Sequence, residues 1–415
     1  MKRGNEDDIY KEHQGEYIDR LCEVSLSEEQ EKVRDVIIDF CKQTLVGYQD
    51  GDKAKVFIVE GGAGTGKSVV MNTVFNEMQR LTRQVKVDGL KDEDHYLLVN
   101  HPEMIRLYLR ISKRYPYLRK GDVDRPTSFV NRADKKGKAG VVIVDEAHLL
   151  ATCKNSWKGW RYENHLIEIL KRAKAVVLVY DHRQCLRTDQ WWDKDTMTQL
   201  LTSEGIEYSK AELKVQWRMQ SEAVCEWARK FCYEKVQGWP VKEAKEAGFD
   251  FRYFDNAQKM YEKIVEMDKR CGSSRIISTY DSPYRISGGK TYYVDGRGGF
   301  HQPWDKYVGG PDVPPWSVRD TIHEVGSCYT VQGIDLEYAG VIVGKSVVVV
   351  ENPDKSMHIE VDVSQYCDNA GVAKRNGQYP SPRAVEDIIR NSLYVLLTRG
   401  RKGLYVYVER FARRK

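Results

Sequence analysis

The sequence predicts an α/β protein made of two α/β halves, each with a parallel sheet covered by helices. Three observations predict it. Short runs of β-branched apolar residues alternate with amphipathic helical stretches, a glycine-rich turn joins one such run to a helix, and an acidic pair closes another run that is apolar throughout. Continuous apolar strands between helices mark parallel sheets, because the crossover helices bury both faces.

The elements follow in order. Residues 29–42 carry Val33, Val36, Ile37, Phe40 and Cys41 at helical spacing. The strand VFIVE (56–60) leads through the glycine-rich turn into a helix with Val70, Val74, Met78 and Leu81 on one face. LLVN (97–100) precedes a helix starting near Pro102, and VVIVD (141–145) precedes a loop rich in tryptophan and lysine. The helix 163–174 leads to the strand AVVLVY (175–180). A second series starts near residue 216. It has a helix around Ser221–Glu234 with Val224, Ala228 and Phe231 inward, a helix at 256–270, and the strand RIISTY (275–280). Glycine, proline and aromatics then dominate 281–317, which predicts a long loop or hairpin insertion. YAGVIVG (338–344) resumes the strands, 351–382 is polar and irregular, and a helix from about Ser381 to Asn391 leads to SLYVLLT (392–398) and a last strand at 404–409. This divides the chain into an N-terminal extension (1–23), a first domain (24–213) and a second domain (214–415).

Composition narrows the function classes. A chain of 415 residues with 41% hydrophobic content has room for two ordinary domains and is not a disordered chain. No apolar run reaches the roughly 18 residues that a membrane span needs, and the first residues have no apolar stretch of a secretory leader. Nine cysteines without a CxxC pair make zinc ligation and a disulfide framework poor expectations, and they point to a reducing compartment, the cytoplasm. A formal charge of +5 permits nucleic-acid binding without arguing for it.

Residues 61–68 read GGAGTGKS: Gly61, Gly62, Ala63, Gly64, Thr65, Gly66, Lys67 and Ser68, the P-loop spacing between a strand and a helix. Glycines let backbone N–H groups approach phosphate oxygens, and the following helix turns its positive end to the anion. Lys67 has the reach for the β- and γ-phosphates, and the Ser68 hydroxyl is a hard oxygen ligand for Mg2+. In VVIVDEAHLL (141–150), Asp145 stands at the end of a buried parallel strand, where ligand crevices form, and is placed to hold Mg2+ through water. Glu146 is placed to orient and deprotonate an attacking water, which favours hydrolysis over transfer to a bound acceptor.

Four further stretches complete a series: VYDHRQ (179–184), KVQWRM (214–219), SCYTVQGIDLEYAGVIVG (327–344) and SLYVLLTRGRKGLYVY (392–407). In order and spacing this series resembles superfamily 1 helicases. More narrowly, it is similar to a compact bacterial family of helicase-like ATPases related to the helicase-like domain of Schlafen proteins. The resemblance covers about 24–409. It implies two RecA-like P-loop NTPase domains with parallel sheets, a nucleotide cleft between them, and ATP with Mg2+ as cofactors. By the same resemblance, Gln30 reads the adenine edge, Gln184 senses the γ-phosphate, Trp217 stacks on the base, and Arg218 and Arg399 are arginine fingers. Gln332, Gly333 and Asp335 belong to the segment that touches nucleotide and nucleic acid, with Asp335 near the ribose. Tyr329 stands where many relatives have histidine.

Single-stranded DNA or RNA is the implied partner, with Asn100, Tyr329 and Gln332 at the strand. Basic stretches with interleaved aromatics at 106–121 and 154–165 are candidate grooves for such a strand, or solvated helix faces. In 281–317, Tyr292, Tyr293, Phe300, Trp304 and Trp316 form a nucleic-acid platform, a small core or a protein-partner surface. The expected function is an ATP-hydrolysing translocase or helicase. The alternative is a regulatory NTPase switch without unwinding, in phage defence by the Schlafen analogy, and a small-molecule kinase is the third.

Overall fold

The structure is a computed structural model that describes residues 25–133, 137–154, 159–284, 290–306, 319–331, 335–375 and 377–414. The expected N-terminal extension, Gln332, Gly333 and Trp316 lie outside the described residues. The chain divides into two compact units: a first within Glu16–Cys185 and Asp189–Gln216, and a second that takes Leu186–Thr188 and Trp217–Lys415.

The first unit opens with α1 (Glu28–Gly47). Ser27 caps it, accepting from the Gln30 N–H while the Gln30 side chain accepts from the Ser27 N–H, and Glu28, Glu29 and Glu31 complement the positive helix end. Val36, expected on the inner face, is 53% exposed, and Ile38 takes the inward position instead. Then come β1 (Lys55–Gly61), α2 (Lys67–Arg80), β2 (His95–Val99), α3 (Pro102–Ile111), β3 (Val123–Asp124), α4 (Pro126–Ala133) and β4 (Ala139–Asp145). The unit continues with α5 (His165–Leu170), β5 (Ala173–Tyr180), α6 (Thr196–Ser203) and β6 (Tyr208–Leu213).

The six strands form one sheet in the order β3-β2-β4-β5-β1-β6, with every pairing parallel. Successive side chains alternate between two cores. Phe57, Val59, Val141, Ile143 and Val177 join α1, α2 and α3 on one face, while Val56, Ile58, Val142, Val144 and Val176 pack with Trp160, Leu166 and Trp192 on the other. Both sides of the inner strands β1, β4 and β5 are therefore apolar, which explains their uninterrupted hydrophobic runs.

The second unit contains α7 (Glu222–Tyr233), β7 (Val236–Gln237), α8 (Val241–Glu246), β8 (Asp250–Phe254), α9 (Ala257–Cys271) and β9 (Ser274–Ser278). After these come β10 (Tyr293–Gly296), β11 (Phe300–Pro303), β12 (Val325–Gly326), α10 (Cys328–Val331), β13 (Leu336–Glu351), β14 (Ser356–Val361), α11 (Pro382–Leu397) and β15 (Gly400–Arg413). Pairings among β12, β9, β13, β15 and β8 are parallel. The sheet is mixed rather than wholly parallel, because β14 pairs antiparallel with both β13 and β7. A short turn at Asn352–Lys355 joins β13 to β14, and a tight connection permits only antiparallel pairing.

β13 runs well past the expected end, through Val347–Val350, so the stretch after residue 351 contains a strand rather than only irregular chain. α11 continues through 392–397, where nearly every residue is buried. The insertion contains the hairpin β10–β11, with Phe300 and Trp304 buried.

Candidate nucleotide site

The phosphate loop sits where β1 ends. Gly64 and Gly66 take φ of 79° and 80°, a left-handed conformation open mainly to glycine, and Gly66 precedes the first residue of α2. A Cβ on Gly61 would stand 2.7 Å from Thr65 Oγ1 and 2.9 Å from the Leu213 carbonyl, so the bare backbone is required there too. Ala63 and Thr65 are buried, and Thr65 Oγ1 donates to the Gly62 carbonyl at 3.1 Å. The buried Lys67 ammonium donates to the Gly61 and Gly62 carbonyls at 2.7 and 2.8 Å, folded back over the loop. A glycine-shaped cradle, a helix start and an ammonium group on one loop fit a polyphosphate chain.

Gln30 braces this loop. Its Nε2 donates to the Thr65 carbonyl at 3.1 Å and its Oε1 accepts from Ser27 N at 3.0 Å. Both amide ends are engaged, so Gln30 ties α1 to the loop.

The acidic strand end lies on the same sheet edge. Asp145 is fully buried and accepts from the Tyr108 hydroxyl at 2.7 Å, from the Glu146 N–H at 3.0 Å, and from the Ser68 hydroxyl. Burial, with the Glu146 charge beside it, pushes its carboxyl up to about 6. The Ser68–Asp145 pair supplies the two hard oxygens that Mg2+ favours beside phosphates. Glu146 adopts φ 53° and ψ 50°, unusual for a residue with a side chain, and its carboxylate lies 3.1 Å from His148 Nε2. Asn100 Nδ2 donates to the Leu149 carbonyl at 2.7 Å, fastening the turn that carries Glu146.

A third group joins from the end of β5. Gln184, buried, donates to Asp181 Oδ2 at 2.8 Å. Burial would raise the Asp181 carboxyl, but the Lys67 charge, the Gln184 hydrogen bond and nearby His148 and His182 hold it below the usual carboxylate range. Parallel register is what gathers these groups: Glu60 pairs with Tyr180, Val144 with Leu178, and Val99 with Asp145. Asn100, Asp145, Asp181 and the loop after Gly61 therefore leave the sheet along one edge, the carboxyl ends of the strands.

In the second unit, Arg218 Nε bonds to the Asp335 carboxylate. Burial would raise Asp335, but Arg218, then Arg399 and Arg401, hold it low. Arg399 has no exposed surface, and its guanidinium donates to the Val395 and Val331 carbonyls at 2.8 and 3.2 Å. Arg399 thus braces the end of α11 against α10. Trp217 is 58% exposed. The Tyr329 hydroxyl donates to Asp368 and lies 3.2 Å from the Leu186 carbonyl.

The basic–aromatic stretches separate by residue type. In 106–121, Tyr108 is buried and Tyr115 and Tyr117 pack on the core, while Arg110, Lys113, Arg114, Arg119 and Lys120 are exposed. In the second stretch Trp160 is buried against His165, with ring centroids 3.9 Å apart. In the insertion, Phe300 packs on Tyr261 and Trp304 on Tyr280, which makes those two rings a small core. The exposed Tyr293 stacks on His301.

The family model for the Schlafen group 3 DNA/RNA helicase domain matches residues 54–410. The chain belongs to the Schlafen group 3 helicase-domain family. It is 40% identical over 417 residues to an uncharacterized protein of Saccharomyces cerevisiae, covering 94% of this chain and 90% of that protein. That relative is eukaryotic, not a member of a bacterial family. The chain is also similar to the crystal structure of arterivirus nonstructural protein 10 (helicase) and to that helicase's complex with DNA. Both are 13% identical over 89% of this chain, with TM-scores of 0.37 and 0.35. The chain spans 61% and 63% of the lengths of those two chains.

Three residues of this Schlafen group 3 domain belong to the site and were not singled out from sequence: Asp181, His148 and Tyr108. Asp181 was findable, since it follows the wholly apolar AVVLVY just as Asp145 closes VVIVD. Tyr108 sits in a basic helix and gives no sign in sequence of reaching Asp145.

Proposed function

We propose that the chain is an ATP-hydrolysing motor of the superfamily 1 helicase type, acting on single-stranded DNA or RNA as a translocase or helicase. The observation that carries the reading is the gathering of Lys67, Ser68, Asp145, Asp181 and Gln184 at the carboxyl ends of three adjacent parallel strands. The loop N–H groups and Lys67 bind the phosphates. Ser68 and Asp145 would hold Mg2+, which supplies charge neutralisation on the phosphate oxygens. Glu146 orients and deprotonates the attacking water, with His148 beside its carboxylate. Gln184, bonded to Asp181, senses the terminal phosphate. Family membership in a DNA/RNA helicase domain supports the nucleic-acid part of the reading. Exposed basic residues after Asn100 offer phosphate contacts.

Two substitutions test the nucleotide site. Lys67→Ala abolishes hydrolysis and weakens nucleotide binding, whereas Glu146→Gln still binds nucleotide with Mg2+ and turns it over at least about 10²-fold more slowly. Normal turnover by Glu146→Gln, measured as phosphate release, would place the base elsewhere.

A further inference from the structure

The β2–α3 segment reaches the acidic strand end twice. Asn100, just after β2, holds the Leu149 carbonyl, and Tyr108, in α3, holds Asp145 Oδ2. Tyr108 is 2% exposed, and its ring lies in the same core as Met104, Leu107 and Ile111 of its own helix and Val141 and Ile143 of β4. A ring packed in this way gives its hydroxyl few alternative directions. The fold, not solvent, therefore fixes where the Tyr108 proton points.

Asp145 Oδ1 accepts from the Glu146 N–H and Oδ2 from Tyr108. Two donors on opposite oxygens define the plane of the carboxylate, and the Ser68 hydroxyl approaches the same group. One of the two positioning donors is backbone and cannot be varied by side-chain choice. The other is Tyr108. Removing a group that hydrogen-bonds a metal-holding carboxylate typically costs about 10–100-fold in metal affinity or activity.

We propose that Tyr108 is the positioning residue of the divalent-cation site, aiming the Asp145 carboxylate at the cation that accompanies the nucleotide. This rests on the reading of Asp145 as a cation-holding group. The hydroxyl of Tyr108 acts through Asp145. Its removal therefore affects the cation-dependent part of nucleotide binding and spares the part carried by the loop and Lys67.

The experiment measures the dissociation constant of a fluorescent ATP analogue for the full chain, in EDTA and in MgCl2, for wild type, Tyr108→Phe and Asp145→Asn. Thermal unfolding of each protein is followed alongside. The quantity read is the gain in affinity that Mg2+ confers. Tyr108→Phe is expected to cut that gain about tenfold, with affinity in EDTA within about twofold of wild type and a cooperative melt retained. Asp145→Asn is expected to remove the gain. If Asp145→Asn removes the gain and Tyr108→Phe leaves it intact, Tyr108 is a core hydroxyl and the proposal is overturned while the site reading stands. If Tyr108→Phe weakens binding equally in EDTA and Mg2+, its role is general packing and the proposal is likewise overturned. If Asp145→Asn keeps the full gain, the cation-site reading fails and the role of Tyr108 falls with it.

Discussion

Asp181 and Arg399 are both buried charges, yet they are held in different ways. Asp181 faces the Lys67 charge, receives the Gln184 amide, and stays ionised despite burial. Arg399 places its guanidinium on two backbone carbonyls, Val395 and Val331, with Asp335 near enough to feel its charge. Arg218, bonded to Asp335, keeps a side-chain exposure of 15%. The two arginines that resemble fingers therefore differ in how far the loss of turnover should exceed the loss of stability. Arg218→Ala should lower turnover by about 10³-fold, the scale of a lost phosphoryl-stabilising arginine, and should also lower the melting temperature, because the buried Asp335 loses its bonded partner. Arg399→Ala should first destabilise the fold, by about 3–5 kcal/mol, because it strips the buried Asp335 of one positive neighbour and removes the guanidinium that joins the Val395 and Val331 carbonyls. Turnover and denaturation measured on both variants check this. Equal loss of activity at unchanged stability would return Arg399 to the role of a finger.

At the scale of elements, the acidic pair depends on β4. All seven of its residues are buried, and Ile143 lies two residues before Asp145 in the core formed with α1, α2 and α3. Ile143→Ala should cost about 2–5 kcal/mol, read as a lower urea midpoint at unchanged slope. A midpoint near that of wild type would mean the strand is held mainly by its ladder. The strands that sequence made legible are those like β4, β1 and β5, whose two faces both enter a core. β6, reading YSKAEL, pairs only with β1 at the sheet edge and is largely exposed, so it has no apolar pattern to find. β3 and β12 are two residues long, too short to carry a period. The end of α11 was obscured for the opposite reason: its last turns are buried on all sides, and an apolar run has no helical stripe once every side is covered. The turn GGAGTGKS was legible in sequence because its left-handed Gly64 and Gly66 restrict the residue types that fit there, and DEAH because it closes a wholly buried strand. The hydrogen bond from Tyr108 to Asp145 was not, because it depends on how α3 packs beside β4.

At the scale of the whole molecule, 66 basic against 61 acidic side chains leave a formal charge of +5, so any grip on nucleic acid comes from local placement rather than overall charge. Among the described residues, no helix is long and apolar enough to cross a membrane. A motor that changes its hold on a strand through the nucleotide cycle must, by the same coupling, change its hydrolysis rate when the strand binds. The direct measurement is steady-state turnover at saturating ATP across a titration of mixed-sequence single-stranded DNA and, separately, RNA, at two salt concentrations. The proposed function predicts that at least one polymer raises turnover several-fold. It also predicts that the polymer concentration needed rises steeply with salt, because lysine and arginine contacts to phosphates release counterions. Neither polymer binding nor altering the rate at low salt would contradict it and leave an NTPase switch in its place.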